Sequence, residues 1–534
     1  MTPATLEPGA ADLDKAIASF YEHSTSKRTY IMTDKPLYQP GETIWYRADL
    51  RATGTLVGGQ PVGLTMMLTS PRGAIVSQKR VLAQNGFARN DFKLPAEIEG
   101  GEYKLSMVAD DGTQDFKSIV INTYQTPRLQ KTLELLRKAY GEGDQVSAAI
   151  EIKRATGEPF ADKALTGIIT IDDVELPRLK ITTDKDGKAT ARFQLPAKLV
   201  RGDGLLTIMA DDGGVTESVQ KRIPIVMKTI SLSMFPEGGD LIDSIPGRVY
   251  FMAKTTLGKP ADIEGRVLDD TGKTVAEFSS VHDGMGRFEL TPGTDRKYQV
   301  AITKPAGITQ KFDVPHGKAG GCVIRSVDQK SPTTLRVGAI CNTARKLQVE
   351  AVMREHRLAS GSFEVGANVP TLVELPVAAN TQGVVRVTLF SARYEPLSER
   401  LLYHGLGSGI QISMTADKKT YSPRDPVKLR IKTTDATGKA VKANIGVAVV
   451  DETVLAYADD KSGNLVSRMF LEQELGATAE DPIEDPKYYF GDKPDATAAL
   501  DALLATRGYR RFEWRPILGA LGAGGTAGSQ GGAK

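Results

Sequence analysis

One phrase recurs along this chain, and two other landmarks repeat in step with its first two copies; that shared interval limits what the chain can fold into. Its fullest copy is Thr33-Asp-Lys-Pro-Leu-Tyr-Gln-Pro-Gly-Glu-Thr-Ile44, a polar start with two prolines and a glycine. It leads into an alternation that sets Ile44, Tyr46 and Ala48 on one face, the pattern of a turn feeding a half-buried strand. Ala416-Asp-Lys-Lys-Thr-Tyr-Ser-Pro-Arg-Asp425 and Lys138-Ala-Tyr-Gly-Glu-Gly-Asp144 are worn copies, so Tyr38, Tyr140 and Tyr421 align, as do Glu42, Asp144 and Asp425. Two further landmarks keep step. Asn85-Gly86 returns as Asp186-Gly187 and Asp110-Asp111-Gly112 as Asp211-Asp212-Gly213, each 101 residues on, while Tyr38 to Tyr140 is 102. A third copy of the Asx-Gly turn stands at Asp283-Gly284. Asn-Gly and Asp-Gly supply the positive φ of a tight hairpin, so these are scaffold features, and landmarks sharing one interval indicate a duplicated domain.

Short alternating runs broken by Gly, Asp, Asn and Pro give an all-β class built of tandem sandwiches. The expected units are 28–123, 124–228, 229–316, 317–405 and 406–515. Residues 1–27 form a tail with a short amphipathic helix, since Leu13, Ile17 and Phe20 fall on one side. The β texture stops after Leu455, and 459–515 reads as a helical insertion. There, 464–475 and 496–507 carry helix formers on either side of Glu480-Asp-Pro-Ile-Glu-Asp-Pro-Lys-Tyr-Tyr-Phe490. Residues 516–534 are a flexible Gly/Ala-rich tail. A linker of that composition implies that the natural protein continues beyond it.

Composition excludes several functions. Lys plus Arg 68 against Asp plus Glu 65 leaves a net +3, which gives no basis for a nucleic-acid partner. No apolar run is long enough to span a bilayer, and the first residues lack the basic end and apolar centre of a secretory signal. The five histidines, His23, His282, His316, His356 and His404, fall in different units without ligand spacing and read as surface or capping residues. There is no phosphate-cradling loop ending in Lys-Ser/Thr and no Gly-x-Ser-x-Gly elbow. Val449-Val-Asp-Glu452 reads as a strand leaving a core, and the Asp-Asp-Gly elements lack the spaced donors of a calcium loop. The expectation is therefore a non-enzyme with no catalytic, cofactor or metal residues. Cys322 and Cys341 flank two predicted adjacent strands, which makes a cross-strand disulfide feasible; two separate buried thiols fit equally well.

The phrase from Thr33 to Ile44 resembles the opening of the second macroglobulin domain in the α2-macroglobulin and complement family. Asp34, Lys35, Pro36, Tyr38, Pro40, Gly41 and Glu42 carry that marker. Ala448-Val-Val-Asp-Glu-Thr-Val-Leu455, with Val450 and Asp451, resembles a strand of the sixth domain in that family. Phe235-Pro-Glu-Gly-Gly-Asp-Leu241, Asp485-Pro-Lys-Tyr-Tyr-Phe490 and Leu503 to Trp514 resemble bacterial members, some of them joined to outer-membrane transport modules. The resemblance implies macroglobulin-like sandwiches of the fibronectin III/Ig type and a place in the cell envelope, periplasmic or at the cell surface. It implies a protein partner, either a surface or outer-membrane component or a protease. The family's reactive Cys-Gly-Glu-Gln is missing here, since Cys322 precedes Val-Ile-Arg and Cys341 precedes Asn-Thr-Ala, so no thioester is expected. By the same resemblance 459–495 stands where relatives carry a protease-cleaved bait segment. Asp485, Tyr488, Tyr489, Phe490 and Trp514 are the candidate interaction or bait-like residues.

Overall fold

The computed structural model describes residues 8–123, 128–154, 156–226, 229–256, 258–405, 409–450, 464–477, 481–509, 514 and 516–518. The first two tyrosine turns each move the chain from one sheet to the facing one. In the first sandwich Lys27–Thr33, Thr43–Ala52 and Phe87–Lys93 form one sheet. The short strand Leu37–Tyr38 then crosses to pair in parallel with Gln114–Ile121 at the edge of the other, a sheet of five strands. Tyr140 repeats this crossing with a parallel bridge to Ile225, and Leu241–Ile242 repeats it against Gly317–Lys318. The alternation read from the sequence is the burial pattern observed. Ile44, Tyr46 and Ala48 meet Leu64, Met66, Tyr103 and Leu105 in a closed core, and Val146, Ala148 and Ile150 do the same with Ile169, Leu206 and Ile208.

The brace of the turn is a buried hydroxyl. Tyr38 is fully buried and its Oη donates to Asp34 Oδ1 at 2.6 Å, while the Trp45 amide donates to the same carboxylate oxygen at 2.9 Å. Glu42 accepts the Gln39 amide at 2.7 Å and Lys35 Nζ at 2.6 Å, closing the turn around Pro36 and Pro40. Gly41 sits at φ 83°, open to glycine and strained for other residues. Burial and the Asp34 charge both push the Tyr38 hydroxyl upward, so it stays a donor. Tyr421 repeats the bond to Asp417 at 2.5 Å on an exposed surface. In the second unit Leu136 occupies the place of Asp34, and Tyr140 Oη donates to the Ser147 carbonyl at 3.3 Å instead.

The Asx-Gly landmark has a second purpose beside its turn. The Leu50, Ile152 and Ala253 amides each donate to the carbonyl of the turn glycine, Gly86, Gly187 and Gly284 respectively, at 2.9 Å in all three. A Cβ on Gly187 would stand 2.3 Å from the Ile152 carbonyl oxygen, so only glycine permits the neighbouring strand to come this close.

The third unit forms one seven-stranded sheet folded over its own core, and the fourth sets three strands against four. In the fourth, Cys322 and Cys341 are direct partners on antiparallel strands and are joined as a disulfide, both buried. Closing a loop of that size stabilises by roughly 3 kcal/mol in the chain-entropy account. His404, expected at the surface, is wholly buried, with Nε2 3.1 Å from the Pro332 carbonyl oxygen. After 405 the pattern changes. Among the described residues 409–450 form only the two-stranded sheet Gln411–Ala416 with Leu429–Thr434, where facing sheets are expected. Ile412, Met414 and Leu429 remain exposed because no described strand covers them. Val450 rests with Leu37 and Val120 on the first sandwich, and Asp451 lies outside the described residues.

Because the Tyr38 bond is buried and the Tyr421 bond exposed, Tyr38→Phe should cost about 1–2 kcal/mol and Tyr421→Phe should shift the unfolding midpoint less. Urea unfolding of the full chain, compared through the midpoints of the two variants, checks this order.

Candidate functional site

The segment that interrupts the repeat is built into the body of the molecule. Asn464 Oδ1 accepts the Ser467 amide at 2.7 Å and caps one α-helical turn, Leu465–Ser467. This runs into a π turn, Arg468–Glu472, and a 3₁₀ turn, Gln473–Leu475, that ends where Gly476 adopts φ 58°. Met469, Leu471 and Leu475 point inward. Arg468 reaches the first sandwich, donating to Asp115 Oδ1 at 2.9 Å and to the Thr29 carbonyl at 3.1 Å. Arg28 returns the contact by donating to the Met469 carbonyl and to Glu474.

The acid-Pro run leads to a 3₁₀ turn, Tyr488–Phe490. Asp485 is exposed at φ 38°, but the three aromatics after it are packed. Tyr488 stacks flat on His282 at 3.7 Å between ring centroids, Tyr489 is 1 % exposed, and Phe490 meets Tyr403 edge-on at 5.4 Å. Burial pushes the Tyr488 hydroxyl up to about 12, assisted by Asp495, and lowers the His282 pKa, so the stacked imidazole is neutral at pH 7.

The helix Ala496–Thr506 then lies across the third and fourth units, burying Leu500, Leu503 and Leu504. Its Asp501 is the fastening. Tyr250 Oη of the third unit donates to Asp501 Oδ2 at 2.5 Å, and Arg400 Nη2 of the fourth donates to Oδ1 at 2.7 Å. Arg400 Nε also donates to Glu237 Oε1 at 3.2 Å. Burial opposes the charge of Arg400, and Asp501, Tyr250 and Glu237 more than restore it, so its pKa stands above the ordinary guanidinium range. Trp514 closes the assembly. Its Nε1 donates to Glu399 Oε2 at 3.0 Å and to Thr388 Oγ1 at 3.2 Å, and its ring packs with Phe390 and with Leu13 and Ile17 of the N-terminal helix Pro8–Tyr21.

Of the residues singled out from sequence, then, Tyr488, Tyr489, Phe490 and Trp514 serve the interior, and Asp485 alone faces solvent. The residues that sequence reasoning missed are Arg400, Glu237 and Asp501. They lie far apart in the chain, and an isolated Arg or Asp carries no local signal. Among the described residues no three His, Cys, Asp or Glu side chains converge on a metal-sized site. Among the described residues the acid moved furthest toward neutrality is Glu350, 1 % exposed and pushed to about 7 by burial, although Arg357 grips both its oxygens at 2.9 and 3.0 Å.

A family model described as the MG2 domain matches residues 28–120. The chain is 25 % identical over 521 residues to a protein of Ralstonia nicotianae named alpha-2-macroglobulin, with 84 % of this chain and 31 % of that protein covered. It thus spans less than a third of this relative's length. Among solved structures it is similar to trypsin-activated alpha-2-macroglobulin from Escherichia coli (TM-score 0.44, 13 % identity, 77 % of this chain and 33 % of that one). Another is Salmonella alpha-2-macroglobulin reacted with methylamine (TM-score 0.33, 14 % identity, 77 % and 32 %).

Asp501→Ala leaves Arg400 buried with one acid fewer and should cost about 3–5 kcal/mol, against about 0.5 for the exposed Asp485→Ala. Calorimetry of the two variants, with trypsin digestion to report release of the helix, checks the contrast. Glu350 gives a pH signature. Its folded pKa lies above the ordinary 4.5, so its contribution to stability is full below pH 4.5 and is lost as pH rises through about 7. Urea titrations at pH 5 and pH 7 should show a smaller drop in Glu350→Gln than in the parent chain.

Proposed function

From the premise that this chain belongs to the macroglobulin-domain family of α2-macroglobulin-like proteins, we propose that it is a non-enzymatic scaffold of the bacterial cell envelope that holds a protein partner. The observation that carries this reading is the use made of the segment after the repeat. It welds the first, third and fourth units into one body and, among the described residues, leaves the face of the sheet Gln411–Ala416 with Leu429–Thr434 uncovered. On that surface Ile412 and Met414 are each 62 % exposed and share a face with the exposed Leu429. Exposed apolar area on this scale, on an edge that can accept another strand, fits a protein better than a small molecule. The Cys322–Cys341 disulfide supports an oxidising compartment, as the envelope is. No helix among the described residues is long and apolar enough to cross a membrane.

A second reading, a protease inhibitor or sensor cleaved within 459–495, draws on one observation. Asp481, Pro482, Glu484 and Asp485 are exposed, so the acid-Pro steps are accessible even though Tyr489 beyond them is buried and Tyr488 and Phe490 are partly buried. Limited digestion with several proteases separates the two. The scaffold reading expects 464–477 and 488–507 to resist cleavage and the solution scattering profile to stay unchanged. Preferred nicking at 481–487 followed by compaction would overturn it in favour of the sensor. Alkylation without reduction should label neither cysteine, and labelling of both would remove the support for an oxidising compartment.

A further inference from the structure

Where the N-terminal helix, the first sandwich, the fourth sandwich and the 3₁₀ turn Gln473–Leu475 meet, they line an open-mouthed cavity of about 270 Å³. At ~30 Å³ per water this is room for roughly nine waters, or one small organic acid with its hydration. Its wall is charged in an unbalanced way. Arg28, Arg354 and Arg386 line it against the carboxylates of Glu355 and Glu474, with the Tyr21 hydroxyl at the edge.

These arginines are only partly provided for. Arg28 exposes 2 % of its surface; its two terminal nitrogens donate to the Met469 carbonyl and to Glu474, and its Nε is buried with no acceptor. Arg354 donates from Nη1 to the Gln382 carbonyl at 2.7 Å and lies 5.5 Å from the centre of the Phe470 ring, and its Nε is also buried with no acceptor. No carboxylate among the described residues forms an ion pair with Arg354; burial and the charge of Arg28 lower its pKa. Arg386 faces Glu399 at 3.4 Å from the far wall. Glu355 accepts Ser24 Oγ at 2.7 Å.

The backbone is committed to this arrangement. Arg354 and Glu355 form the two-residue turn of a hairpin at φ 45° and 72°, where Asn-Gly is the unstrained choice. A Cβ on Gly383 would stand 2.9 Å from Arg354 Nη1, so a larger residue there would crowd the guanidinium. Buried guanidinium donors are ordinarily satisfied, and the group that would satisfy two Nε–H donors and a phenol at once is an oxygen-rich anion.

We propose that this cavity binds a small oxyanion, a phosphate or the carboxylate of a small acid, between the Nε–H groups of Arg28 and Arg354. Bound there, the anion accepts from both Nε–H groups and ties the insertion to the first and fourth units. Thermal unfolding and calorimetric titration of the full chain with sodium phosphate, with sodium succinate and with sodium chloride at equal ionic strength test it. The expected result is saturable stabilisation by phosphate or by succinate beyond chloride, the stronger of the two naming the anion. Binding should fall at least about tenfold in Arg354→Gln and by less in Arg354→Lys, which keeps the charge but not the fork. Lack of saturation by either anion in the parent chain overturns the proposal, as do equal isotherms in the parent and both variants. Should Arg354→Gln fail to fold, as judged by near-ultraviolet circular dichroism, the parent titration and Arg354→Lys decide.

Discussion

The association of the units depends on one enclosed guanidinium. Arg400 lies in the fourth sandwich with acids brought to it from two other parts of the chain, Glu237 from the opening of the third sandwich and Asp501 from the helix beyond the repeat. A charge so buried is tolerated only while both partners are in place, because desolvation costs several kcal/mol per ion and is offset only by close, well-directed acceptors. The position of the helix and the angle between the two sandwiches are therefore set together. Leu500, Leu503 and Leu504 add apolar contact, but apolar contact is adaptable, and the ion pairs supply the register.

Much of the fold could be read in the chain because its causes are local. Alternation at Ile44, Tyr46 and Ala48, the positive φ demanded by Asn85-Gly86, and the tyrosine turn are each specified within a dozen residues. Tyr38 was legible as a brace, since its copies recur where no ligand could be shared. The pairing at Asp34 needed coordinates. The interior of the joint was not legible for the converse reason. Tyr488, Tyr489 and Phe490 after two acid-Pro steps look alike whether they are exposed for recognition or folded under a helix, and only the arrival of His282 and Tyr403 decides it. Arg28 and Arg354 are more than three hundred residues apart and carry no motif; their convergence is a property of how whole units pack. His404 was misread because a lone histidine carries no sign of the carbonyl it will meet.

The bare sheet after 405 shows the limit of periodicity. Asp417, Tyr421 and Asp425 reproduce the first turn bond for bond, with Lys428 taking the place of Trp45 at the shared carboxylate. Among the described residues a turn and its two strands are thus retained without a closed core around them. The brace is a local device, whereas a sandwich needs a second sheet.

The unequal bracing of the copies bears on how a chain of similar units avoids confusing them. Neighbouring domains with related strands are prone to exchange them during folding, since backbone ladders do not distinguish one copy from another. Here the side chains do. A strand from the second unit placed in the first would bring Leu136 to the position of Asp34, and both the Tyr38 hydroxyl and the Trp45 amide would lose their acceptor. The drift between repeats therefore acts as an address, marking each strand for its own sandwich while the turn geometry that all of them need is kept.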